Sequence, residues 1–141
     1  MTVSDLLLPV FVEVLLTFLL MFWMGKRRME ALGSGAVQPS DIALRQPSWP
    51  PRVTQVANCF HNQLELPFLF YVLVAFILIT STNSLIFVIL AWVFVLSRLV
   101  HAYIHTGAND VRARSMALGI GAIALFSMWV IFAIRILVSG A

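Results

Sequence analysis

Two polar sets in an otherwise oily chain have residue types and spacings that could do chemistry. In "VTQVANCFHNQLE", Gln55, Asn58, Asn62 and Glu65 recur three, four and three residues apart, which places them along one face of a helix, with His61 beside Asn58 and Glu65. In "SRLVHAYIHTGANDVRARS", Arg98, His101 and His105 are three and four apart on one helical face, and Arg112, Arg114 and Ser115 follow. A carboxylate, several cations, imidazoles and amides on facing helices make a polar, net positive cavity. Such a cavity suits an anionic, water-soluble molecule, and its lipid-facing flank would suit an apolar one.

The elements that must carry these sets are membrane spans. The chain of 141 residues is 61% hydrophobic and 11% charged, too few polar side chains to cover a water-soluble domain. Four apolar segments are each long enough to cross a hydrocarbon core of about 30 Å as a helix. They run from Asp5 to Met24, Val53 to Ile79, Leu85 to His105 and Ala113 to Val138, in one all-α domain over residues 1–141. The first lacks basic residues ahead of its apolar run and has no small-residue cleavage site, so it is expected to be a retained span. Gly25 to Pro51, rich in Gly and Pro, reads as a loop with room for one helical turn, and "TSTNSL" reads as a tight turn joining an antiparallel hairpin.

Lys26, Arg27, Arg28, Arg45 and Arg52 fall in the first connection, and Arg112 and Arg114 in the third. By the positive-inside rule these connections are cytoplasmic and both termini lie outside; Arg135 opposes this as a single charge near an end. The net charge of +3 therefore reports topology, and nothing in the pattern suits a nucleic-acid partner. Trp23 and Trp49 are expected as interfacial anchors at the cytoplasmic edge, Trp92 and Trp129 nearer the other. The lone Cys59 excludes an intrachain disulfide and reads as a small buried apolar residue, and no structural-zinc spacing is present.

With the turn centred between Thr82 and Asn83, antiparallel register sets Glu65 level with Arg98 and His101, about 26 Å from the turn. That register predicts a Glu65–Arg98 ion pair with Asn62, Asn58 and His105 stacked toward the cytoplasm. A structural ion pair joining the helices accounts for part of this, yet the polar capacity exceeds what one salt bridge requires. Glu13, spaced by four from Pro9 and from Thr17, is expected to face the same interior or to be a hydrogen-bonded packing residue. Pro67 should bend the second helix and free a carbonyl near residue 63. Ser115 with Gly119 and Ala117 with Gly121 form small-xxx-small pairs that fit packing within or between protomers.

These motifs resemble the MAPEG family, the membrane-associated proteins of eicosanoid and glutathione metabolism. "NQLELPFLF" is similar to its second-helix signature, and "SRLVHAYIHTGANDVRARS" to its segment from the third helix into the fourth. The resemblance implies a four-helix protomer assembled as a homotrimer, with glutathione as cosubstrate between subunits near the cytosolic face. It assigns Asn58, His61, Asn62, Glu65, Arg98, His101, His105 and Arg112 to the glutathione pocket, and Arg114 with Ser115 to the thiol. A cation near the sulfur lowers the thiol pKa, and a hydroxyl can donate to the thiolate. The short loops resemble those of bacterial members, which implies the bacterial inner membrane.

The chain also departs from the family pattern. Asn58 and His61 stand where catalytic members carry arginine, His105 where a tyrosine is frequent, and Leu118 where an aromatic is found. Arg52 or Arg112 are the cations left to compensate. Two expectations follow: a transferase or peroxidase acting on hydrophobic electrophiles, or a non-catalytic lipid- or partner-binding protein of the same fold. A proton-conducting transporter is disfavoured because the polar residues gather in one half of the membrane.

Overall fold

The computed structural model describes residues 1–44 and 48–139; Arg45 and Pro47 of the first connection lie outside the described residues. Among the described residues five helices follow in order: α1 (Val3–Gly33), α2 (Pro51–Asn62), α3 (Leu66–Ile79), α4 (Leu85–Thr106) and α5 (Val111–Ser139), with a 3-10 turn at Pro39–Ile42. Helices α2 and α3 are the two halves of one broken span, Pro51–Ile79, so four stretches are long and apolar enough to cross a membrane. The chain is an all-α, multi-pass integral membrane protein.

Local chemistry accounts for the boundaries. Thr2 and Asp5 form a reciprocal capping box at the start of α1, satisfying N–H groups that a helix leaves open. Gly25 does not end α1 as the loop reading expected. The helix runs on to Gly33, with Lys26 and Arg27 paired to Glu30 at 4.0 and 3.3 Å on the polar turn that follows the apolar run. Pro51 opens α2 at a position that needs no N–H.

Helix α4 packs closely against α5, and α1 lies across α2, α3 and α4. An apolar core of Leu6, Phe70, Leu73, Ile77, Phe87, Phe94, Leu125 and Met128 fills the end of the bundle nearest the α3–α4 turn, where Phe70 and Phe94 have centroids 4.7 Å apart. A Cβ on Gly121 would collide with the Ser97 hydroxyl, whereas one on Gly119 would meet nothing. The Ala117/Gly121 pair therefore brings α5 against α4 within the protomer, and Gly119 does not take part in that contact.

Three of the four expected aromatic anchors, Trp23, Trp49 and Trp129, have ring contacts. Arg52 lies over Trp23 and Arg28 over Trp49, each 5.3 Å from the ring centroid. Trp129 packs edge-on against Phe76 and Phe132. Arg135 does not extend from the end of α5: it donates to the Thr82 carbonyl at 3.1 Å and lies over Phe87.

Candidate functional site

Three helices and one helix break converge on Arg98. Pro67 has no N–H, and the chain leaves helical geometry at Glu65 (φ −97°, ψ −100°), between the end of α2 and the start of α3. That break strands the Asn62 carbonyl inside an apolar span, and Arg98 Nη2 donates to it at 2.9 Å. The freed carbonyl expected near residue 63 is thus that of Asn62. Arg98 and Glu13 are both fully buried, with Arg98 Nε 3.9 Å from Glu13 Oε1. Gln63 ties them together: with its amide nitrogen toward Glu13 and its oxygen toward Arg98, the contacts are 2.6 and 3.2 Å. A buried guanidinium is tolerated here because a carboxylate, an amide and a carbonyl surround it.

The expected Glu65–Arg98 ion pair is therefore replaced by Glu13–Arg98. The helix-face reading assumed that α2 ran unbroken past Glu65; the break turns Gln63 inward and leaves Glu65 exposed. Glu65 enters no salt bridge among the described residues. Gln63 was missed by sequence reasoning, although its spacing of four from Cys59 and eight from Gln55 places all three on one face of a continuous helix.

A second group of polar contacts lies nearer the basic connections. His101 is buried, and its Nδ1 lies 2.9 Å from the Arg114 carbonyl, which can only accept, so Nδ1 carries the proton. In the neutral ring Nε2 then accepts from Asn62 Nδ2 at 3.4 Å. Arg114 Nη1 donates to Asn109 Oδ1. A continuous polar path therefore runs from Glu13 through Gln63, Arg98, Asn62 and His101 to Arg114 and Asn109. His105 is also buried, 5.4 Å from His101 and edge-on to it.

Gln55 and Arg52, both on α2, serve the end of α4. Gln55 Nε2 donates to the carbonyls of His105 at 2.7 Å and Gly107 at 3.1 Å, and Arg52 donates to that of Thr106. These carbonyls are the ones a helix C-terminus leaves without partners. Arg52 is committed to this cap and to Trp23, so it is not a free substitute for the missing family arginines. Asn58, His61, Glu65, Arg112 and Ser115 are exposed, and Asn58, His61 and Glu65 share their surface with exposed Leu64 and Phe68. The predicted site residues thus divide into a buried set, Arg98, His101 and His105, and an exposed set, with Asn62 and Arg114 half-buried between them.

Among the described residues no group of three or more His, Cys, Asp or Glu side chains could hold a metal ion. The fold and its polar end define a four-span membrane protein with an arginine and a serine at the head of the last helix. The MAPEG family model matches residues 6–134, and the chain belongs to the MAPEG family. No curated protein and no solved structure matches it.

Proposed function

We propose that this protein is a homotrimeric glutathione transferase or peroxidase acting on hydrophobic electrophiles dissolved in the bilayer. Family membership supports a membrane glutathione-transferase-like or related function in general. The observation that carries the finer reading is the head of α5: Arg114, pinned at its carbonyl by His101 and at its guanidinium by Asn109, stands next to exposed Ser115.

The exposed set fits the ligand's groups. Glutathione presents two carboxylates, one ammonium and one thiol; Arg112 suits a carboxylate, the unpaired Glu65 suits the ammonium, and Asn58 and His61 suit its amides. Arg114 stabilises the thiolate, Ser115 donates to the sulfur, and the thiol proton leaves to water. The sulfur then bonds to an electrophilic carbon as a leaving group departs with its electron pair, or takes the terminal oxygen of a hydroperoxide as the O–O bond breaks, the alkoxide being protonated to the alcohol and a second glutathione converting the sulfenic acid to disulfide and water. The buried set holds this face in place: Arg98 acts through Asn62, and His101 through Arg114. His105 lines the interior behind them.

The same surface supports association between protomers, and the count of three rests on the family resemblance. Amide, imidazole and carboxylate side chains that point away from their own bundle, between Leu64 and Phe68, are costly against lipid and inexpensive against a neighbouring protomer's polar face or a shared water-filled cleft. The basic connections would be cytoplasmic, with both termini outside, in a bacterial inner membrane.

Calorimetric titration with glutathione, combined with ultraviolet difference absorbance of the thiolate, tests this reading. Saturable binding with a thiolate signal is expected. No binding at millimolar glutathione would leave the second reading, a lipid- or partner-binding member without catalysis. That second reading draws on one observation of the structure: Arg52 and Arg98 both donate to carbonyls of their own chain.

A further inference from the structure

In "HTGANDVRARS" the chain passes from α4 to α5 through Gly107, Ala108, Asn109 and Asp110, and three of these four residues have an assignable task. The Thr106 hydroxyl donates to the Ala102 carbonyl at 2.8 Å, and Gly107 N donates to the Tyr103 carbonyl at 3.0 Å, closing α4. A side chain at Gly107 would press on that same carbonyl, with a Cβ only 3.0 Å from it. Asp110 Oδ1 accepts from Arg112 N at 3.0 Å, opening α5. Asn109 takes the left-handed backbone (φ 55°), and its N–H reaches back to the Ile104 carbonyl at 2.8 Å.

For the turn itself, glycine at position 109 would serve at least as well, because it adopts a left-handed backbone without steric cost. What asparagine adds is the amide oxygen, and that oxygen accepts from Arg114 Nη1. Arg114 is thereby held at two points: His101 fixes where its backbone sits, and Asn109 fixes where its guanidinium points. A flexible side chain with several rotamers is restricted to one orientation, beside Ser115.

We propose that Asn109 is the positioning residue that aims the Arg114 guanidinium at the ligand's sulfur. This rests on the thiolate-forming role proposed for Arg114. Asn109 does not touch the ligand; it acts through Arg114 alone. A mobile guanidinium would spend less time near the sulfur and favour the thiolate less.

The test is a pH titration of thiolate absorbance with the full-length, detergent-solubilised protein saturated with glutathione, comparing the parent with Asn109→Gly, Arg114→Ala and the double variant. Asn109→Gly keeps the left-handed turn and removes only the amide. It should melt at the parent's temperature, bind glutathione within a few-fold of the parent, and move the thiolate midpoint up by about one pH unit. In the Arg114→Ala background the same change should produce no further shift, the signature of two residues acting as one unit. An unchanged midpoint in Asn109→Gly, with the parent showing thiolate, would overturn the proposal while leaving the thiolate-forming reading intact. An additive shift in the double variant would overturn it too, by giving Asn109 an independent effect. A parent with no thiolate signal would sink the underlying reading and this inference together. Should Asn109→Gly melt lower than the parent, Asn109→Ser supplies the shortened side chain on a second background, and a midpoint equal to the parent's there counts against the proposal.

Discussion

The buried Glu13–Gln63–Arg98 node and the exposed residues Asn58, His61, Glu65, Arg112 and Ser115 use similar residue types for opposite ends. In the node the Glu13 and Arg98 charges face each other across Gln63, with the Asn62 carbonyl as a further acceptor, and these contacts join α1, the α2–α3 break and α4. On the outer face the same chemistry is left uncommitted, with Glu65 in no salt bridge among the described residues. Burial without water makes an ion pair a structural joint; exposure makes its components available for recognition.

The comparison can be broken most forcefully at the node. Changing Glu13 to Gln strands a guanidinium in an apolar interior, and a loss of about 3–5 kcal/mol of stability is expected, read by thermal or denaturant unfolding in detergent. Pairing Glu13→Gln with Arg98→Met should recover much of that loss, since neither charge is then left unpaired. Equal instability of the single and double variants would mean that the ion pair is not what joins the helices. Next in size is Gly121→Val, where the added side chain collides with Ser97; about 1–3 kcal/mol should be lost, while Gly119→Val should cost far less.

On the outer face the expectations reverse. Arg114→Ala should leave the oligomer and melting temperature near the parent's and remove the thiolate signal at neutral pH, as difference absorbance would report. Unchanged absorbance would end the thiol-activating assignment. Glu65→Gln should change stability by no more than about 0.5 kcal/mol, and should weaken glutathione binding several-fold in calorimetry. A large stability loss at Glu65 would mean that the node and the face are not separate. Smallest in its effect on the ligand is Gln55→Ala, expected to cost about 1 kcal/mol of stability through the uncapped carbonyls of His105 and Gly107, and to leave ligand affinity unchanged.

Sequence reasoning found the four apolar spans, and misjudged the ionic partner of Arg98. Asn62, Arg98 and His101 do come together as their spacing suggested, because helical periodicity and a short antiparallel turn leave little freedom in register. Glu65 was matched to Arg98 by depth alone. Depth says nothing about which way a side chain turns after a proline, and the break at Glu65 reverses that direction. Gln63 was overlooked for the same reason, and Asn109 because a turn asparagine ordinarily needs no explanation beyond its backbone.

The amino-acid sequence by itself determined that four apolar spans form, that their polar residues gather at the end carrying the basic connections, and that the motifs are those of the MAPEG family. Composition and periodicity suffice for this because a membrane admits few backbone solutions. Which carboxylate neutralises Arg98, which amide links them, and which residue holds Arg114 were decided only by tertiary structure. Those choices depend on a helix break and on side chains from α1, α2, α4 and the α4–α5 turn meeting within a few ångströms, a geometry that no single helix's pattern contains.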